Sequence, residues 1–303
     1  MRRLLMLAGI AWSSSAFAQP EPDRPPLDRS EPPADQAEPS PSSGQKLSPR
    51  TDVVMASYSA THNGTLTARD LQLKAAAPLV RGDGYGAALM LSFDSTHLDI
   101  ATDDAELDLY RFETMIGGGM ALAPGWSLRG SVGTAYSSDL RDATWSALQY
   151  TTSAMIHHVV GPSDALVGGL VYTSSSSFIP VLPLLGYVHQ RDGSPLRFDV
   201  FLPHHARVEY EVRSWLRTAV GTEVFGSTWM LKLAPNQSDV SARRQGGAGF
   251  AEVQWCMTRM LHVEARGGIA VERYTLPMQP AGAPQDQPLR ASAFGQLSFV
   301  VAP

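Results

Sequence analysis

Two pairs of adjacent histidines, His157-His158 and His204-His205, are the side chains of this sequence best suited to bind a metal or move a proton. Both pairs sit in alternating, strand-like stretches. Neighbours on a strand point to opposite faces, so each pair offers one ring at most to a given wall. A metal site would need ligands from other strands, and histidines at strand ends or in loops are the simpler reading. The single thiol, Cys256, can form no internal disulfide and excludes the multi-cysteine zinc and iron–sulfur motifs. There is no GxSxG elbow, HExxH, P-loop or CxxC. Gly82, Gly84 and Gly86 read as a turn, not a dinucleotide fingerprint, and Arg81-Gly82-Asp83 runs into that same turn. Ser, His and Asp all occur, but no spacing aligns them as a hydrolase would need. The sequence therefore assigns no catalytic residue, no metal ligand and no cofactor, and the chain is not read as an enzyme.

The stronger chemical signal is a set of ionised residues at alternate positions. It comprises Arg197, Asp199, Arg207, Glu209, Glu211, Arg213, Arg217, Glu223, Glu252, Glu264 and Arg266. Arginines and acids nearly balance, so they can neutralise one another along a wall or line a pore of weak ion preference.

The elements that carry these charges alternate with period two, the strand signal. Ala206, Val208, Tyr210 and Val212 share one face, and Arg207, Glu209, Glu211 and Arg213 share the other. Leu196, Phe198, Val200 and Leu202 alternate with Arg197 and Asp199, and Leu216 to Val224 and Leu261 to Ala265 repeat the pattern. A soluble sandwich would turn the oily face inward. A transmembrane barrel would turn it to lipid and the charges to the lumen.

Three features favour the barrel. Trp126 and Tyr136 close the two ends of one apolar face, and Tyr85 and Phe93 bracket another. Ten residue steps tilted at ~40–45° cross ~24 Å, which matches an apolar band with aromatic girdles at both interfaces. Strand-like runs such as Gly125–Tyr136 and Trp145–Val159 exceed the usual soluble length of about five or six. Glycine clusters at 117–119, 168–169, 246–247 and 267–268 lie in or beside these runs, where a lumen or bulge tolerates them. One span with its connection takes roughly 18 residues, so residues 51–303 hold about fourteen strands at most. The strand-like segments number twelve to fourteen, which predicts an all-β, closed antiparallel up-and-down barrel of about twelve strands, range ten to fourteen.

The barrel occupies residues 51–303. Residues 1–18 read as a cleaved signal peptide: Arg2 and Arg3, then Leu4–Trp12, then an Ala16-Phe17-Ala18 cleavage site. Nine apolar residues make a helix of only ~14 Å, about half a membrane core. Residues 19–50 hold nine prolines and little else that could form a core, so they read as a disordered tether. The chain has 303 residues, a net charge of −5 and only 17% charged residues, which argues against nucleic-acid binding.

The order of parts resembles a bacterial outer-membrane β-barrel protein. The stretch of roughly 178–230 resembles a family of uncharacterised barrel-like proteins, a domain of unknown function. The resemblance rests on Phe178-Ile179-Pro180, Pro183-Leu184-Leu185-Gly186-Tyr187, Phe201-Leu202-Pro203 and Val208-Glu209-Tyr210. It implies a porin-like Gram-negative outer-membrane location, with lipid and the barrel-insertion machinery as partners, and supplies no activity. One departure stands out. Such barrels commonly end on an aromatic residue, whereas here Val300-Val301-Ala302-Pro303 follow Phe299.

The expected role is passive: a small-solute channel or a structural envelope component. An outer-membrane enzyme acting on lipid or lipopolysaccharide, and a soluble periplasmic sandwich that binds a ligand, are the alternatives.

Overall fold

The computed structural model describes residues 53–301 except 63–65, 101–104, 142–143, 176–179, 192, 233–238, 259, 278–283 and 287–289. The signal segment, the tether, Phe178-Ile179 and Ala302-Pro303 lie outside the described residues.

Fifteen strands follow one another: β1 (Val53–His62), β2 (Leu66–Gly82), β3 (Tyr85–Ile100), β4 (Ala105–Ala123), β5 (Trp126–Ser138), β6 (Leu148–Val159), β7 (Asp164–Thr173), β8 (Val181–Gln190), β9 (Leu196–Leu202), β10 (His205–Arg213), β11 (Leu216–Leu231), β12 (Val240–Cys256), β13 (Leu261–Pro277), β14 (Pro284–Asp286) and β15 (Arg290–Val301). Each long strand pairs antiparallel with the next. β1 pairs with β15, and β15 with β13, so the sheet closes on itself. The three-residue β14 is a side rung on β13. Among the described residues, fourteen long strands therefore form one barrel.

Fourteen is the upper end of the expected range and equals the ceiling set by ~18 residues per span and link. Several connections are two-residue hairpins, such as Asp83-Gly84, Pro124-Gly125, Pro203-His204 and Ser214-Trp215, and these offset the longer links. Gly84 and Gly125 carry φ of 78° and 76°, a backbone region that favours glycine and matches the twist of a tight hairpin.

The connections sort by end. Asp83-Gly84, Pro124-Gly125, 160–163, 191–195, Ser214-Trp215 and 257–260 lie at the end where β1 starts and β15 finishes, called here the turn end. The strand ends at Ser138 and Leu148, Thr173 and Val181, Leu231 and Val240, and Pro277 and Arg290 lie at the opposite end, called the loop end.

Alternation sets which side each residue faces. Val54, Tyr58, Leu71, Leu91, Ile116, Val132, Ile156, Leu170, Leu185, Val220, Val253, Ile269 and Leu297 are exposed on the outer surface. Their intervening neighbours, such as Ser57, Ser131, Ser153, Glu252 and Ser298, are buried inside. The fold is thus inverted relative to a soluble sandwich, with a broad oily band outside and polar groups within.

The interior is not uniformly polar. Near the loop end Leu66 and Ala68 of β2, Leu98 and Ile100 of β3, Leu109 of β4, Trp229 and Leu231 of β11, Ala242 of β12, and Tyr274 and Leu276 of β13 pack into one buried cluster. Fourteen strands spaced ~4.8 Å and tilted ~40° would enclose a round cylinder about 28 Å across. Contact between β11 and β2–β4 across that interior means that the walls come together at the loop end. Met230 of β11 pairs with Ser138 of β5, skipping the five strands between them, and marks the same inward turn.

Candidate functional site: the charged interior

Register brings the inward residues into rows around the wall. One row runs Arg197, Glu209, Ala219, Glu252, Arg266, Gln296, Ser59, Asp70 and Thr96. The next row towards the turn end runs Glu211, Arg217, Gln254, Glu264, Ser298, Ser57, Gln72, Asp94 and Arg111. Because facing residues on adjacent strands lie within side-chain reach, these rows place opposite charges together.

Ten of the eleven charged residues expected from the sequence face inward; eight of them join one ladder over β10–β13, and Arg197 and Asp199 form a pair beside it on β9. Arg266 lies 2.8 Å from Glu223, 3.2 Å from Glu252 and 4.0 Å from Glu264. Arg207 contacts Glu252 and lies 3.2 Å from Glu209. Arg217 reaches Glu209 at 3.9 Å and Glu211 at 3.7 Å. Arg197 lies 3.7 Å from Asp199. Arg266 also stacks over the Phe250 ring, 4.0 Å from its centroid. The eleventh residue, Arg213, stands exposed at the β10–β11 turn.

Two further clusters went unnoticed in the sequence. Arg244 of β12 bonds both oxygens of Asp70 at 2.8 and 3.0 Å, and Oε1 of Glu272 at 2.8 Å. Ser59 and Thr96 donate to the same Asp70 carboxylate, and the Tyr274 hydroxyl donates to Glu272. On β2–β4, Gln72 donates to Asp94, and Arg111 donates to Glu113 and to Gln149 of β6. The signal for these was present: Asp70, Gln72 and Lys74 alternate with Leu71 and Leu73, the same pattern that exposes β10.

The inner surface is therefore two-sided. The β9–β13 wall is densely ionised. The inner faces of β6–β8 mix Met155, Val167, Val171, Leu182 and Leu184 with Gln149, Thr151, Ser153 and His157, and Val171 and Leu184 are buried. The interior is thus densely ionised on one side and partly apolar, partly neutral polar on the other.

The histidine pairs divide as strand geometry requires. His157 and His158 face opposite ways, and His158 stacks on the outward Trp126 ring at 3.8 Å between centroids. His204 sits in the β9–β10 turn and His205 opens β10, with their Nδ1 atoms 3.0 Å apart and His205 Nε2 3.3 Å from Asp199. Among the described residues no group of three or more metal-ligating side chains comes together. Tyr85 and Trp126 are exposed on the outer face near the turn end, and Phe93 and Tyr136 are half-buried further along the same face.

No protein-family model and no curated protein sequence matches the chain. The narrower resemblance to a domain of unknown function thus gains no support. Among solved structures, an outer-membrane channel of Pseudomonas putida F1 is similar over 88% of this chain and 100% of its own, at 11% identity and a TM-score of 0.48. The NanC porin is similar over 82% of this chain and 98% of its own, at 9% identity and a TM-score of 0.39. The Salmonella typhi outer membrane phospholipase, a dimer with bound calcium, is similar over 86% of this chain and 94% of its own, at 9% identity and a TM-score of 0.39.

Proposed function

We propose that this chain is an outer-membrane β-barrel with a passive role. It would pass small solutes through an interior lined by paired arginines and carboxylates and narrowed near the loop end by the apolar cluster. The supporting observation is the opposition of faces on β10 and β11. Val220 is 57% exposed on the outer wall, whereas its neighbour Ala219 is 5% exposed beside the charged ladder. On a lipid-facing wall an arginine costs ~2–4 kcal/mol at mid-bilayer and a carboxylate less, so the inward placement of these four arginines and six carboxylates follows from a membrane setting. The apolar cluster would act as a constriction that resists wetting.

Export fits this reading. A cleaved signal peptide would free Gln19, and the tether would leave the barrel at the turn end, the periplasmic side in such barrels. Lipid of the outer membrane and the insertion machinery would be its partners. Tyr85, Trp126, Phe93 and Tyr136 would mark the two interfaces. Planar-bilayer recording tests the channel. Discrete current steps support it, whereas folded, inserted protein without current leaves a structural envelope role.

One observation favours an enzyme as the second reading. On the outer wall near the loop end, His97 Nδ1 lies 2.7 Å from Asp108, and Ser95 occupies the next position on the same face. That is the set of residue types needed for acyl transfer, at the depth of lipid headgroups. Incubation with labelled phospholipid and lipid A tests it, and absence of product removes it.

A further inference from the structure

Outward charges among the described residues gather near the strand ends. At the loop end, β2–β4 present Arg69 and His97 beside Asp99, Glu106 and Asp108, so that sector is mixed in sign. β12 and β13 differ. Their acids, Glu252, Glu264 and Glu272, all point inward. Arg243 faces outward between the inward Ala242 and Arg244, and Arg273 faces outward between the inward Glu272 and Tyr274. Arg243 pairs with Thr275 and Gln245 with Arg273, so the two arginines are diagonal neighbours on adjacent strands. Long side chains so placed reach each other and can close on one ligand. Each guanidinium has five donors, so it can take a ligand beside any partner within the chain. From Trp255, exposed at the turn end, ~12 residue steps along β12 climb ~30 Å at a tilt of ~40°. The apolar band is ~25 Å tall, so Arg243 stands roughly 5 Å above it, at the depth of lipid headgroups. Below Arg243, the outer face of β12 drops to Gly247, Gly249 and Ala251. Val271 and Ile269 of β13 rise on one side of them, and Val224 and Val220 of β11 on the other. β12 is therefore the floor of a groove between two branched ridges. A Cβ on Gly249 would meet nothing within 4 Å, so packing inside the chain does not require glycine there.

We propose that Arg243 and Arg273 bind a phosphate monoester of a multi-acyl lipid, with one acyl chain lying along residues 247–251 of β12. The loop end lies opposite the periplasmic turns, hence in the outer leaflet, and the lipid chemistry is that of lipid A. A phosphate monoester carries about −1.5 to −2 charges near neutral pH, which two arginines match. The phosphodiester of an ordinary phospholipid carries a single charge and leaves one arginine unmatched. A second copy of this chain would bring the same two arginines against these, and like charges repel. The inference rests on the outer-membrane placement proposed above and not on conduction.

Native mass spectrometry of the full chain in detergent micelles tests this. Folding is checked first by heat-modifiable migration. Diphosphoryl lipid A, its dephosphorylated form and phosphatidylglycerol are titrated separately. Lipid A should bind at least about tenfold more tightly than either of the others. Arg243→Gln with Arg273→Gln should remove that preference, whereas Arg69→Gln should keep it. Gly249→Leu fills the groove from an open position and should weaken lipid A several-fold while the phosphate preference remains. Equal binding of lipid A and phosphatidylglycerol overturns the inference, as does an unchanged preference in the double glutamine variant. Unchanged lipid A affinity in Gly249→Leu overturns the acyl seat. A dimer that Gly249→Leu dissociates also overturns the inference, because that face then covers a second copy. Conductance is recorded in parallel, so a conducting barrel without this preference refutes the inference and leaves the channel standing.

Discussion

Arg244 of β12 and Asp70 of β2 form a two-point ion pair across the interior, with Nη1 at 3.0 and 2.8 Å from the two carboxylate oxygens. Around the wall, β13, β15 and β1 lie between their strands. The pair therefore ties the seam where the two ends of the sheet meet, and it sits just beneath the apolar cluster that contains Tyr274. Glu272 shares the same guanidinium at 2.8 Å.

Removing that cation should damage the fold. Arg244→Ala leaves the buried Glu272 and the half-buried Asp70 without their shared partner, which costs about 3–5 kcal/mol. Urea unfolding in detergent micelles, followed by loss of heat-modifiable migration, checks this. A second variant that also neutralises the acids, Asp70→Asn with Glu272→Gln, should recover much of the loss. Failure to recover would mean that packing of the arginine over the Phe225 and Tyr274 rings dominates.

Truncating the constriction should raise current. Leu231 is 1% exposed and Trp229 4% exposed in the cluster where opposite walls meet. Leu231→Ala should cost ~2–5 kcal/mol of stability and enlarge the single-channel step. Planar-bilayer recording of purified variant and parent at equal salt gives the comparison. An unchanged step would locate the narrowest point elsewhere.

Four inward arginines against six carboxylates on this wall predict a weak cation preference in the parent and a strong one after editing. Neutralising Arg207 and Arg266 to Gln leaves Glu209, Glu223, Glu252 and Glu264 as a net negative wall. The reversal potential in a tenfold salt gradient should then move towards cation selectivity. The parent should sit near zero. No movement would place the ion path away from β10–β13.

The outer wall should resist charge in proportion to depth. Val220→Arg should cost about 2–4 kcal/mol of folding free energy in bilayers, whereas the same change at the rim residue Ser214 should cost about 0–1. Urea titration of refolding into lipid vesicles measures both. Equal small losses would contradict a lipid-facing Val220.

Much of this architecture is written in local alternation. The β10 pattern, with Val208 and Tyr210 opposite Arg207 and Glu209, fixes both the strand and its facing because a one-residue slip would put every charge into lipid. The same logic applied to Asp70, Gln72 and Lys74 would have found the second polar wall. The loop-end cluster is a different case. Leu98, Leu109 and Leu231 have the chemistry of outward residues at inward positions, so alternation alone misassigns them. Their burial depends on β11 crossing to β2–β4, and that contact joins segments more than a hundred residues apart. Likewise, the pairing of Met230 with Ser138 has no local signature. Strand count is less legible, because a two-residue hairpin such as Pro203-His204 leaves the even-numbered outward residues of β9 and β10 in one unbroken alternation.

Collision accessibility of two nitroxide labels on consecutive residues of β11 tests the orientation on which the whole account depends. Ala219→Cys and Val220→Cys, each in a Cys256→Ala background, are labelled and reconstituted into phospholipid vesicles. The account predicts that the label at 220 relaxes chiefly with oxygen dissolved in the acyl chains, and the label at 219 chiefly with a water-soluble nickel chelate. The reverse result, with 220 reporting water and 219 reporting hydrocarbon, would contradict it.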